Sequence, residues 1–188
     1  MDQEQDALII EEIRSGNKEA YRILVDRYRN PIYNLALRMT ASADAANDLA
    51  QETFVRAYAS LHTFKAGRSF FTWVYTICLN LARNFLQRRR EIPLESLDVH
   101  PQEGDDRVRE NPSPEDHLME RQAQERLSRC LALLPLEFRE PLVLRYIQDL
   151  SFQDVAKVLG IGVSLAKMRV YRGLEKMKTL MDSENIGT

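Results

Sequence analysis

Apolar residues recur along most of this chain at spacings of three and four, the period of a helix with one buried face. No run of β-branched alternation is long enough to suggest a sheet. Residues 5–15 read as a short amphipathic helix with Leu8, Ile9 and Ile13 on one side, stopped by Gly16. Asn17 is positioned to cap a second helix running through Tyr21, Leu24, Val25 and Tyr28, which Pro31 should break or kink before it resumes through Tyr33, Leu37 and Met39. A turn from Thr40 to Ser42 leads into a helix from about Asp44 to Leu61, with Ala46, Ala50, Phe54, Ala57 and Leu61 facing inward. Ser69 can cap the next helix, whose core stripe is Phe70, Val74, Ile77, Leu81 and Phe85.

The helical signal stops between Glu91 and about Ser113, and four of the seven prolines fall from Pro93 to Pro114. It returns after Ser113 or Asp116, either able to start a capping box, with a helix from about His117 to Leu134. Pro135 sets off another helix carrying Phe138, Leu142, Leu144 and Tyr146, and Pro141 inside it predicts a kink or a short first turn. Ser151 with Asp154 forms a capping box before Val155, Ala156 and Leu159. Gly160 and Gly162 then make a tight turn, and a longer helix starts at Ser164. Two short helices around a glycine turn, the second basic on its outer side, make a helix-turn-helix pattern, though an ordinary helical hairpin shares the spacing. The pattern therefore predicts an all-α protein: a helical domain over 1–90, a flexible acidic linker over 91–115, and a second helical domain with the helix-turn-helix over 116–188.

Charge changes the picture of what such a protein touches. The net charge of −2 over 188 residues argues against a nucleic-acid partner, but its distribution reverses that. Residues 1–90 carry thirteen bases and ten acids, residues 91–117 two bases and nine acids, and residues 118–188 eleven bases and nine acids. Two weakly basic blocks are thus joined by an acidic one, which either solubilises the chain or threads a basic channel as a nucleic-acid mimic.

The stretch Phe64 to Arg90 departs most from the average, with six bases, six aromatics and no acid. Basic charge attracts phosphate whatever the sequence, and exposed aromatic faces stack unpaired bases. An amphipathic core helix with a basic last turn accounts for the same composition. Within the stretch, Lys65 to Ser69 read as a loop, and Trp73, Thr76, Asn80, Arg83, Asn84 and Gln87 share a helix face off the core stripe. Carboxamides can pair with base edges and an indole can wedge or stack, while core packing is the plain account of Trp73. On the preceding helix Asp48, Gln51 and Glu52 form one polar cluster, either a solvated face or a docking patch for a large basic partner. In the last helix Ser164, Lys167, Met168, Tyr171 and Arg172 would face a major groove or its phosphates.

No catalytic or cofactor chemistry emerges. There is no Walker loop, no HExxH and no convincing triad, and the three histidines have no ligand spacing. Cys78 and Cys130 are isolated thiols that suit a reducing compartment. The start of the chain is unlike a secretory signal, and no apolar run approaches the ~20 residues of a membrane span. A cytoplasmic protein without direct membrane insertion, cofactor or metal is expected.

In order, DLAQETFVRAYASLHTF, SFFTWVYTICLNLAR, the acidic linker and LPLEFREPLVLRYIQDLSFQDVAKVLGIG resemble a bacterial sigma factor of the extracytoplasmic-function, group IV, type within the sigma-70 superfamily. The resemblance covers nearly the whole chain. It implies two domains, regions 2 and 4, and a protein that binds core RNA polymerase and directs it to promoters without catalysing anything itself. It further implies that Asp48, Gln51 and Glu52 dock on the β′ clamp helices. Phe64, Lys65, Ala66, Gly67, Arg68 and Ser69 would capture a flipped base of the −10 element. Trp73, Thr76, Asn80 and Arg83 would read and melt that element as single strand. Ser164, Lys167, Met168, Arg169, Tyr171 and Arg172 would read the −35 duplex, and the linker would enter the polymerase cleft. The β subunit and a cognate anti-sigma factor are the other partners implied. Ser164, Leu165, Ala166 and Met168 depart from the family's usual residues at the −35 surface, so the preferred −35 sequence cannot be carried over. A helix-turn-helix regulator with an N-terminal sensing domain explains only residues 118–188, and a nucleic-acid-processing enzyme lacks clustered carboxylates for metal.

Overall fold

The computed structural model describes residues 3–65, 67–91, 123 and 126–186. The expected linker and the caps at Ser113 and Asp116 lie outside these. The described residues are helices joined by turns and short irregular connections, with no strand among them. The helices are α1 (Gln3–Arg14), α2 (Tyr21–Thr40), α3 (Ala43–Ser60), α4 (Phe70–Glu91), α5 (126–133), α6 (Leu136–Leu142), α7 (Phe152–Leu159) and α8 (Val163–Ile186). The all-α expectation holds.

Some local signals act as their chemistry predicts and others do not. Gly16 takes φ +112° and closes α1, with Asn17 N–H donating to the Glu12 carbonyl at 3.1 Å. Ser42 Oγ accepts from Ala45 N–H and opens α3. Asn17 does not cap: its side chain donates to Glu12 Oε2 at 3.3 Å instead. Pro31 does not break α2 either, which is continuous across it. Tyr28, Ile32, Leu35 and Met39 are all buried, and that shared apolar face offsets the one backbone hydrogen bond the proline removes. Pro141 is likewise carried inside α6, and the irregularity follows it as a π-helical turn over Val143–Ile147. Tyr146 on that turn points outward, 55% exposed, unlike Phe138, Leu142 and Leu144.

The N-terminal core is built from Leu24, Tyr28 and Ile32 of α2, Ala46 and Phe54 of α3, and Phe70, Val74 and Cys78 of α4, all buried. α1 is fastened onto it by Ile10 and Ile13 and by Asp6, whose carboxylate accepts from Arg27 Nη1 at 2.5 Å and from the Tyr28 hydroxyl. Burial pushes the Cys78 thiol up to about 12, so it packs as an apolar group.

The C-terminal block packs α6 across α8, and α7 with α8 forms the helix-turn-helix. Ser151 Oγ accepts from Asp154 N–H at 3.1 Å and donates to Asp154 Oδ2 at 2.6 Å. Gly160 ends α7 at φ +67°, with Ile161 N–H donating to the Ala156 carbonyl at 3.0 Å. At the α6–α8 crossing Gly173 lets the helices approach closely: a Cβ there would stand 2.8 Å from Leu142 Cδ1 and 3.3 Å from Phe138 Cβ, so the Leu142 side chain would have to shift.

The two blocks are packed together. Tyr75 Oη donates to Gln148 Oε1 at 2.7 Å, Thr76 Oγ1 to the Val158 carbonyl at 3.1 Å, Arg38 Nη1 to Ser128 Oγ at 2.8 Å, and Arg139 Nη1 to the Met39 carbonyl at 2.8 Å. α4 is buried beyond its predicted stripe, through Phe71, Tyr75, Leu79 and Ala82. Phe71 packs on Tyr28 within the N-terminal block, and Tyr75 is held across the two blocks by Gln148. Burial also holds the Tyr75 phenol well above its ordinary range, keeping it a neutral donor to Gln148.

Candidate nucleic-acid interface

Three surfaces carry the residues singled out by sequence. On α3, Asp48 and Gln51 are exposed, and Glu52 is half-buried and ion-paired with Arg56 at 2.6 Å, one turn on. Val55 (56% exposed) continues the same face, so the polar cluster borders an apolar position that its charge pattern had hidden. Three positions further on stands Tyr58, whose ring lies 4.9 Å from that of Tyr21.

The second surface is the loop before α4. A 3-10 turn, Leu61–Thr63, closes when Phe64 N–H donates to the Leu61 carbonyl at 3.1 Å. Phe64 then turns extended, and its ring is buried against Trp73 at 5.1 Å and Phe70 at 6.0 Å. It is a wall of the loop rather than an exposed stacking plate. Lys65, Gly67 and Arg68 are exposed, and Ala66 lies outside the described residues. Gly67 takes φ +80°, a left-handed turn that suits glycine. Ser69 caps α4 as expected, accepting from Thr72 N–H at 3.4 Å.

Beyond the loop, the α4 face divides. Trp73 is half-buried against Phe64 and Phe70, and Asn80 is exposed. Thr76 and Arg83, by contrast, are engaged by the C-terminal block. Arg83 Nε donates to Glu140 Oε1 at 2.6 Å and Nη2 to Oε2 at 2.7 Å, while Nη1 donates to Asn80 Oδ1 at 2.9 Å. The hydrogen bonds to Glu140 hold the Arg83 guanidinium above its usual range despite partial burial, so it is a fixed cation. Glu140 is a residue that sequence reasoning missed. It is an ordinary acid in a helix until a partner 57 positions away is known.

The third surface is the outer face of α8. Ser164, Lys167, Met168, Tyr171 and Arg172 are exposed, and Arg169 is half-buried with Nη2 at 3.8 Å from Glu137 Oε2. Phe152 at the start of α7 ties this face together: Lys167 Nζ stands 5.7 Å and the Arg145 guanidinium 5.3 Å from its ring centre, and the Tyr171 ring is at 6.2 Å. Neither Phe152 nor Arg145 carried a sequence signal of its own. A cationic and aromatic helix surface of this kind, presented by a capped helix-turn-helix, fits duplex DNA.

Among the described residues no group of three or more His, Cys, Asp or Glu could hold a metal, and no helix is long and apolar enough to cross a membrane. Residues 24–92 match the sigma-70 region 2 family and residues 124–177 the sigma-70 region 4 family. The chain is similar to the RNA polymerase sigma-H factor of Pseudomonas aeruginosa, at 33% identity over 92% of each chain. It is also similar to the ECF RNA polymerase sigma factor SigW of Bacillus subtilis, at 31% identity over 90% of this chain and 92% of that one. Among solved structures it resembles CnrH, determined in complex with the cytosolic domain of CnrY, at 26% identity and a TM-score of 0.73 over 95% of this chain and 97% of that one. Both halves are thereby accounted for, which a regulator with an N-terminal sensing domain would not do. The chain belongs to the extracytoplasmic-function sigma factors of the sigma-70 family, and it is an alternative sigma factor of transcription initiation.

Proposed function

We propose that this group IV factor divides its work among the three surfaces. Asp48, Gln51 and Glu52, with Val55 beside them, dock on the β′ clamp helices of core RNA polymerase. The loop Phe64 to Ser69 takes up a base flipped from the −10 element, and Trp73, Thr76, Asn80 and Arg83 hold the separated strand. Ser164, Lys167, Met168, Arg169, Tyr171 and Arg172 read the −35 duplex. The work needs no cofactor and no catalysis by this chain, and it takes place in the cytoplasm. Unstacking costs a few kcal/mol per step, offset by contacts to the extruded base and by phosphate neutralisation. The acid-free loop, with Lys65 and Arg68 exposed beside half-buried Trp73, is the observation that carries this reading. Likeness to CnrH, itself solved in a complex, supports an anti-sigma factor as a further partner.

The test adds the purified protein to sigma-free core polymerase and scores promoter-specific transcripts. Glu52→Ala with Gln51→Ala should weaken core binding while leaving the affinity of the free protein for −35 duplex intact. Failure of the wild type to bind core, or undiminished core binding by the double variant, rejects the docking assignment.

A further inference from the structure

Arg14 ends α1, and its polar contacts lie in a distant part of the chain. Its Nη2 donates to the Leu61 carbonyl at 3.0 Å and also to the Phe64 carbonyl. These two oxygens bracket the 3-10 turn: the first already accepts the Phe64 N–H, and the second is the last carbonyl before Lys65. We propose that Arg14 is a positioning residue for the loop Phe64 to Ser69. On this proposal α1, which precedes the residues matched to region 2, belongs to the −10 machinery. The inference rests on the base-capture reading of that loop.

Among its described residues the loop has little of its own to hold it. Lys65, Gly67 and Arg68 are exposed, and a Cβ placed on Gly67 would meet nothing within 4 Å. Among its described residues one turn bond, Arg68 N–H to the Lys65 carbonyl at 3.2 Å, closes it locally. Its conformation therefore depends on how its two ends are anchored. The exit is fixed by Ser69, which caps α4 and whose carbonyl accepts from Trp73 N–H at 3.3 Å. The entry is fixed by Arg14. The planar guanidinium holds two carbonyls at once, setting the direction in which the chain leaves Phe64. Both bonds leave the one nitrogen Nη2, whose two N–H groups are fixed in the guanidinium plane. A lysine ammonium can also donate twice, but from a flexible stem with rotatable donors it sets the direction of the chain less firmly. α1 is a rigid support for this, since Ile10 and Ile13 are buried in the core and Asp6 is bound to Arg27 and Tyr28. A second contact comes from the same helix, Gln3 Nε2 to the Gly67 carbonyl at 3.5 Å. An arginine at a helix C-terminus also offsets the macrodipole, but a dipole effect would act on α1 and not on the loop.

The experiment uses holoenzyme reconstituted with wild-type, Arg14→Ala or Arg14→Lys protein. The probe is the non-template −10 strand, as an oligonucleotide, of a promoter selected with the wild-type holoenzyme. Binding is compared with a series in which each base in turn is abasic. Wild type should lose affinity sharply at the position whose base is captured. Arg14→Ala should bind the intact strand about fivefold more weakly, the worth of a hydrogen bond or two. It should bind the strand abasic at that position nearly as wild type does, and Arg14→Lys should fall between. Equal weakening on intact and abasic strands, or none on either, overturns the brace. A wild-type profile with no favoured position would instead remove the base-capture reading beneath it.

Discussion

Arg83 and Glu140 form a two-pronged ion pair between the N- and C-terminal blocks, with both nitrogen–oxygen distances at 2.6–2.7 Å. The Glu140 side chain is only 5% exposed, whereas that of Arg83 is 37% exposed. Arg83 is one of the residues proposed to hold the −10 strand, and on that proposal the pair occupies a group that the strand would use. Glu140→Gln keeps the shape and removes the charge. It should loosen the closed arrangement and raise the free protein's affinity for a single-stranded −10 oligonucleotide several-fold. Small-angle scattering should show a larger radius of gyration. The comparison is Glu137→Gln, an exposed acid that pairs at 3.8 Å with Arg169 and should change neither reading. Unchanged scattering and unchanged oligonucleotide binding in Glu140→Gln would show that the pair does not hold the blocks together.

Trp73 and Asn80 lie on α4 beside Thr76 and Arg83, which the C-terminal block engages. Trp73→Ala and Asn80→Ala should slow opening of duplex promoters more than they weaken binding to templates already opened at −10. Removing a side chain that stacks on or pairs with a base costs about 1–3 kcal/mol, or roughly five- to a hundredfold. Permanganate footprinting of unpaired thymines, on duplex and pre-opened templates in parallel, measures the difference. Equal losses on both templates would argue against a role in melting.

What the sequence revealed here depended on reach. Ser69, Ser151 with Asp154, Gly16 and Gly160 act within five residues, and each could be read from its immediate neighbours. Pro31 could not, because whether a helix tolerates a proline depends on how much apolar surface its face buries elsewhere. Phe64 illustrates the same limit: composition marks an aromatic beside basic residues, but only packing against Phe70 and Trp73 turns its ring inward. Contacts between distant segments left no trace in local pattern. Arg139 to the Met39 carbonyl spans 100 positions and Arg14 to the Phe64 carbonyl 50. The candidate site was accordingly visible as a set of residues, while its covering by the second block was not.

Gly173 lies where α6 crosses α8, and a methyl group there meets Leu142 Cγ at 3.0 Å and Phe138 Cβ at 3.3 Å. Alanine favours a helix over glycine by roughly 1 kcal/mol, but overpacking at a helix crossing costs about 1–3 kcal/mol. Gly173→Ala should therefore be destabilising on balance, and Gly173→Val more so. Leu142→Ala costs stability alone but makes room for the new methyl. The double variant Gly173→Ala, Leu142→Ala should thus be more stable than the sum of the two single effects, by about 1 kcal/mol. Urea unfolding of all four proteins closes the cycle, and strict additivity would mean that the crossing adjusts elsewhere.

Asp154 joins the cap of α7 to pH. Partial burial acts to raise its carboxyl, but hydrogen bonds from the Ser151 hydroxyl and Lys157 outweigh it and leave the group below its ordinary range. A carboxyl depressed in the folded state stabilises the fold fully above its unfolded pKa of ~3.9 and loses that contribution as pH falls through the lower folded value. Asp154→Asn should therefore be less stable than wild type near neutral pH, and the gap should shrink on acidification below about pH 4. Ser151→Ala removes the hydroxyl that accepts Asp154 N–H and should cost about 1 kcal/mol. It should also flatten the pH dependence, because the carboxylate loses one of the donors that hold it charged. Thermal melts between neutral pH and about pH 3 separate these effects. A gap between Asp154→Asn and wild type that is constant across that range would mean the carboxylate's charge contributes nothing to the cap.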